Sequence, residues 1–281
     1  MDHQTHRIPF VNILLFLLTL ITTLVAGALQ QGINPLEAPW SLWRGIPFSF
    51  TLLMILAAHE FGHTIMARKH RINVTLPYFI PAPSFIGTFG AFIKMKSPLL
   101  DRCMLLDVGA AGPLAGMIVA VPVLFIGLYL SEITPGAAQT GVALGSSLFF
   151  SLASWIVHGY LPDEVNLVLH PIAFSGWIGL LVTCLNLLPV GQLDGGHVAY
   201  AIFGPRQRIV AIIAVAVLVL MGLTGWSGWL VWAAILLLMG TSHPRVVYEW
   251  IPLDDDRRVI GGVTLAIFVM TFTPVPFTFS S

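Results

Sequence analysis

The chain has 281 residues, 57% of them hydrophobic and only 9% charged, with a formal net charge of zero. A soluble domain carries about a quarter charged residues, so this composition excludes an ordinary soluble domain and implies a polytopic membrane protein. Zero net charge gives no electrostatic footprint for a nucleic-acid partner, and Cys103 and Cys184 supply neither a disulfide framework nor a zinc-finger spacing.

Val11 to Leu29 is nearly all apolar and long enough to span a bilayer. A cleaved signal peptide is the competing reading, because Arg7 precedes the run and Ala26-Gly27-Ala28 resembles a cleavage site. A short loop follows, whose Trp40 and Trp43 suit a membrane interface.

Ile46 to Ala67 is the second expected span, opened by Pro47 and ending at Arg68-Lys69-His70-Arg71. Inside it lies His59-Glu60-Phe61-Gly62-His63. Residues four apart share one face of a helix, so His59 and His63 can grip a single zinc ion while Glu60 reaches a metal-bound water. Three ionisable side chains within apolar, membrane-spanning sequence are costly and mark function.

From Arg71 to Leu99 the texture changes. Pro77, Pro81 and Pro83 break any helix, and Phe85 to Lys96 is β-prone and spaced by glycines. It is too apolar for an ordinary surface loop. A hairpin or edge strand dipping into the bilayer beside the histidine motif explains it; a loop packed on the membrane surface is the alternative.

Met104 to Leu130 is the third expected span, with Gly109, Gly112-Pro113 and Gly116 permitting close helix approach. Ser131 to Asn166 is more polar, with acids Glu132, Asp163 and Glu164, and Gly141 to Gly159 is expected to form an interfacial helix. His170 to Leu188 is the fourth span. It runs into Asn186-Leu187-Leu188-Pro189 and then Leu193-Asp194-Gly195-Gly196-His197, where proline and glycine should interrupt regular structure. Arg208 to Thr224 and Trp226 to Gly240 are joined by a tight turn. Asp254-Asp255-Asp256-Arg257-Arg258 reads as a solvated loop stopping a last span, Val259 to Thr273. The fold class is therefore an all-α polytopic membrane protein of six or seven transmembrane segments with a membrane-associated β-hairpin, in one domain over residues 1–281.

With a cytoplasmic amino terminus, twelve of the thirteen Lys and Arg residues, all but Arg44, fall on one side. The positive-inside rule then orients the chain. His63 stands five residues before Arg68, so a metal there lies about 7–13 Å below the cytoplasmic surface at a helical rise of 1.5 Å per residue.

A catalytic zinc keeps three protein ligands and one open position. A histidine ten residues after His59 would complete one known pattern, but that position is Lys69. Glu132 and Glu164 belong on the far side of the membrane. Asp101, Asp107 and Asp194 remain at suitable depth; Asp194 stands in a glycine-rich break that can turn its carboxylate toward a metal, and Asp107 is the runner-up.

The three motifs, His59 to His63, Gly112-Pro113-Leu114-Ala115-Gly116, and Asn186 to Pro189 followed by Leu193 to His197, resemble the site-2 protease family of intramembrane zinc metalloproteases. The likeness covers roughly residues 46–204. It implies one zinc per chain held by His59, His63 and Asp194, with Glu60 as the general base and Asn186 contacting substrate or oxyanion. It also implies that Gly87 to Lys96 is a membrane-dipping hairpin, with Gly87, Thr88, Phe89, Gly90, Ala91 and Phe92 binding unwound substrate by strand addition. No stretch reads as a PDZ domain, so the likeness is to the branch without one, which also occurs in chloroplasts. The expected partners are a membrane protein with a transmembrane helix and the lipid bilayer; the expected location is a prokaryotic cytoplasmic membrane, with the site toward the cytoplasm.

Two other classes compete: a membrane metallohydrolase acting on lipid or prenylated peptide, and a zinc-binding scaffold or transporter. Transport would show paired repeats or further ionisable residues within the spans, and a scaffold has no use for Glu60.

Overall fold

The computed structural model describes residues 9–35, 37–136, 141–162 and 164–280. Arg7 and Asp163, which entered the sequence argument, lie outside the described residues, as do residues 137–140 of the polar segment.

Helix α1 (Phe10–Gln30) is about 31 Å long at 1.5 Å per residue, enough to cross a hydrocarbon core. A 3-10 turn at Pro39–Gly45 leads into α2 (Ile46–Lys69), whose Pro47 occupies a first-turn position where no backbone N–H is needed. Thr23 of α1 and Ser49 of α2 share a buried hydrogen bond of 2.6 Å.

The chain then forms a hairpin that begins earlier than expected: only its second strand falls within Gly87 to Lys96, and its first includes Pro81. Strand β1 (Tyr78–Pro81) pairs antiparallel with β2 (Thr88–Phe92), Tyr78 opposite Phe92 and Phe79 opposite Ala91. Between them Gly87 adopts φ +81°, which a residue with a side chain rarely does. Among the described residues the sheet has two strands, so β2 has one edge paired with no other strand.

Helix α3 (Arg102–Tyr129) opens with Asp101, whose side chain accepts from the Met104 N–H at 2.8 Å. Strand β3 (Glu132–Pro135) and β4 (Gly141–Leu144) precede α4 (Leu148–His158). The interfacial helix expected over Gly141 to Gly159 is thus confined to its second half. Residues 141–144 are instead captured as a strand, and Ser147 caps the helix by accepting from Phe150. Strand β5 (Val165–Val168) pairs with β3, and α5 (Pro171–Asn186) follows.

Helix α6 (Asp194–Phe203) begins at the aspartate itself. The glycine-rich break therefore ends at Leu193, and Asp194 is the first residue of a helix rather than part of irregular chain. A carboxylate is favoured there by the helix dipole. A Cβ on Gly195 would lie 2.0 Å from Leu187 O and one on Gly196 2.4 Å from Gly191 O, so only glycine allows this close approach of the first turn of α6 to the preceding break.

A 3-10 turn at Gly204–Arg206 joins α7 (Gln207–Thr224), and α8 (Gly228–Met239) follows the tight turn. Helix α9 (Asp255–Thr271) absorbs the acidic-basic run expected as a loop. Asp254 accepts from the Arg257 N–H at 2.9 Å, and two acids fill the first turn, so the run starts the helix. Strand β6 (Phe277–Ser280) pairs with β4.

The core is the stack of α2, α3 and α5, around buried Phe48, Leu52, Leu124 and Trp177. Lipid is as apolar as leucine, so van der Waals fit and small residues hold such helices together. A Cβ at Gly62 would meet Ala111 O at 2.4 Å, and one at Gly176 would meet the Leu124 Cα at 2.8 Å. Thr51 of α2 and Ser175 of α5 add a buried 2.6 Å hydrogen bond, worth about 0.6 kcal/mol in a membrane. Large apolar side chains such as Ile65, Ile118 and Leu238 remain exposed on the helices. Among the described residues, four helical stretches, 10–30, 39–69, 102–129 and 194–224, are long and apolar enough to cross a membrane; 148–158, 171–186 and 228–239 are shorter and apolar.

Candidate metal centre

Helical spacing puts His59 and His63 on one face of α2, their ring centroids 4.9 Å apart and both residues buried. The start of α6 brings Asp194 against them. Its Oδ2 lies 3.1 Å from His59 Nε2 and its Oδ1 lies 3.3 Å from His63 Nε2, while the two Nε2 atoms are 3.2 Å apart.

His63 Nδ1 lies 2.8 Å from the Val108 carbonyl. A carbonyl only accepts, so Nδ1 carries the proton and the Nε2 of the neutral ring presents a lone pair. That lone pair faces His59 Nε2 and the carboxylate. Electron-pair donors converging in this way suit a cation between them. Tetrahedral zinc, with bonds of about 2.0–2.1 Å to nitrogen and oxygen, would space its ligand atoms by about 3.3 Å. The observed separations match, and these three residues are the group that can hold a metal among the described residues.

Helix α3 makes room for the imidazoles through its glycines. A Cβ at Gly116 would come 3.3 Å from His59 Nδ1, and one at Gly109 would come 2.8 Å from the His197 Cβ. The Gly-Pro-Leu-Ala-Gly motif is thus the wall against which the histidine face of α2 packs. The far end of α6 is held by Arg102 of α3, whose guanidinium donates to the Ala201 and Ile202 carbonyls at 2.7 Å each.

Glu60 is 4% exposed and faces the same centre, with the backbone N–H of Ile93, just beyond β2, in reach of its carboxylate. Asn186, at the end of α5, places its amide nitrogen 3.5 Å from His59 Nε2. Of the hairpin residues, Thr88 is buried, Phe92 stacks on Tyr78, and Phe89 is 75% exposed. Gly87, Gly90 and Ala91 lie along the same turn and strand.

Asp107, the alternative ligand, is committed elsewhere. Its carboxylate accepts from Arg257 Nη2 at 2.7 Å and Nε at 3.0 Å, and lies 2.8 Å from His70 Nε2. Asp101 is occupied as the α3 cap. The bidentate Arg257 clamp escaped sequence reasoning; an arginine within a tight acidic run was its one local signal. His197 meets His243, with Nδ1 2.7 Å from His243 Nε2. His243 Nδ1 donates to the Pro244 carbonyl at 2.5 Å, and burial pushes its pKa below the usual imidazole range.

Residues 47–224, more than half of the chain, match peptidase family M50. The chain is 32% identical to probable zinc metalloprotease EGY1, chloroplastic, of Arabidopsis thaliana, over 82% of this chain and 43% of that protein. It is 29% identical to probable zinc metalloprotease EGY2, chloroplastic, of the same plant, over 84% and 43%. To the rice (Oryza sativa subsp. japonica) EGY1 it is 36% identical over 57% and 28%. The chain thus spans less than half the length of these relatives. No solved structure matches. The relatives are chloroplastic by name, so the expectation of a prokaryotic cytoplasmic membrane is not borne out. With this match and with helices fit to cross a bilayer, the chain belongs to peptidase family M50, the site-2 protease family.

Proposed function

We propose that this chain is an intramembrane zinc metalloprotease that hydrolyses peptide bonds in or near transmembrane segments of membrane-anchored proteins. The observation that carries the reading is the convergence of His59 Nε2, His63 Nε2 and the Asp194 carboxylate, with Glu60 buried beside them.

In this reading His59, His63 and Asp194 hold one zinc ion per chain. Zinc held there polarises a carbonyl and lowers the pKa of water to about 7. Glu60 takes the proton of the attacking water on its carboxylate and later delivers it to the leaving amine. Asn186 donates from its side-chain amide to the scissile carbonyl oxygen as negative charge develops there. Val108 fixes the His63 ring so that its lone pair points inward.

A transmembrane helix hides its peptide bonds in its own hydrogen bonds, so substrate must unwind. The unpaired edge of β2, from Gly87 to Phe92, holds the extended segment by strand addition. The shorter helices α5, α8 and α9, with α4 at the interface, complete a single membrane domain of six or seven spans, with the metal near the side that carries the basic loops. A zinc scaffold or transporter is disfavoured because it has no need of a buried carboxylate beside the ligands.

The test uses the full chain in detergent or nanodiscs with synthetic transmembrane peptides. Internal cleavage seen by mass spectrometry, abolished by 1,10-phenanthroline and restored by zinc, is the expected result. A zinc-loaded protein that cleaves no peptide of a broad panel would overturn the reading.

A further inference from the structure

Helix α1 lies outside residues 47–224, the region that matches the family, and nothing above gives it a task beyond crossing the membrane. Its few polar side chains say otherwise. Asn12 Nδ2 donates to the Leu76 and Pro77 carbonyls at 3.0 Å each, Thr22 Oγ1 to the Gly87 carbonyl at 2.6 Å, and Gln30 Nε2 to the Phe85 carbonyl at 3.0 Å. Asn12 and Gln30 are eighteen residues apart, five full turns, so they stand on the same side of the helix. Between them Phe16 meets Phe79 of β1 edge-on at 5.2 Å.

These three polar residues of α1 thus serve one segment, the chain that leads into β1 and turns into β2. Non-helical backbone is tolerated at membrane depth only where protein or water satisfies its polar groups. The carbonyls of Leu76, Pro77, Phe85 and Gly87 flank the strands, and α1 answers each of them. The joint at Gly87 is tight as well: a Cβ there would lie 2.6 Å from Thr22 O, and the residue's φ of +81° already favours glycine. Gly87 immediately precedes β2, so this joint fixes where the strand begins.

We infer that α1 is the brace of the hairpin: Thr22, with Asn12 and Gln30, positions β1–β2 so that the outer edge of β2 is presented to substrate, and Thr22 is a positioning residue for capture. The capture half of this inference rests on the protease reading; the brace itself does not. In this arrangement α1 covers the β1 side of the hairpin, which leaves β2 with the edge that an unwound peptide can join.

Thr22→Val keeps the shape and helix compatibility of the side chain and removes only the donor. Hydrogen exchange of the full chain in nanodiscs should rise over residues 84–92 and stay unchanged over 55–65, with zinc content at the wild-type level. KM for a transmembrane peptide should rise about fivefold, the size of one lost hydrogen bond, with kcat within about twofold. Thr22→Ser should restore both. Gly87→Ala, which attacks the same joint from the other side, should reproduce the exchange and KM effects.

Unchanged exchange over 84–92 in both Thr22→Val and Gly87→Ala would overturn the brace. Raised exchange with unchanged KM would overturn the capture role. If wild-type protein cleaves no peptide, the protease reading falls, and the exchange measurement alone still decides for or against the brace.

Discussion

A Cβ placed on Gly112 of α3 would lie 2.1 Å from His63 Nε2 of α2, closer than any real contact allows. The position is therefore open only to glycine while the imidazole keeps its inward pose. Gly112→Ala should displace His63 and lower zinc affinity at least about a hundredfold, the upper range for disturbing the support of a ligand. Metal analysis after dialysis checks this. Stoichiometric zinc in the variant would mean that His63 Nε2 does not hold the ion.

Asp194 supplies the only carboxylate in contact with both His59 and His63 among the described residues. Asp194→Ala leaves two imidazoles whose lone pairs face each other, and should lose both zinc and cleavage. Full zinc occupancy with activity would remove Asp194 from the ligand set.

Glu60 is not needed to hold the ion in this arrangement. Glu60→Gln should keep zinc at the wild-type level while cleavage falls about 10²–10⁴-fold, because the amide cannot take a proton from water. Near-normal turnover would place the base elsewhere.

The free edge of β2 makes a periodic prediction. Proline has no N–H, so replacing Thr88 through Ile93 one at a time should weaken cleavage most where the amide faces outward, with milder effects between. Zinc content should hold throughout the series. Tolerance of every proline, combined with loss of cleavage in Phe89→Ala and Phe92→Ala, would replace edge capture by a side-chain pocket.

Arg257 clamps Asp107 one residue before Val108, whose carbonyl orients His63. Arg257→Leu strands a carboxylate that is only 10% exposed with His70 left as its partner and should destabilise the protein by about 1–3 kcal/mol, seen as a lower melting midpoint. Adding Asp107→Asn should recover part of the loss, since the stranded charge is then gone. No recovery would show that the two residues act independently.

The sequence by itself determined the helical half of the candidate site. His59 and His63 four apart give a shared face from helix geometry alone, and Glu60 between them in apolar sequence marks function because burying it without purpose is costly. The β-prone, glycine-spaced run after Pro83 likewise announced a strand, since alternation and turn residues are local properties.

Tertiary structure decided what depends on distant partners. Asp194 follows His63 by 131 residues, and only the packing of α6 on α3 separates it from Asp107, which Arg257 and His70 claim instead. The need for glycine at 195 and 196 also came from packing: carbonyls of Leu187 and Gly191 are pressed too close to them for any side chain. The acidic run at Asp254 became a helix start because capping and a charge partner on α3 favour it over solvent. The polar residues of α1 looked incidental in an apolar span, because hydrogen bonds from one helix to carbonyls more than fifty residues away leave no local pattern.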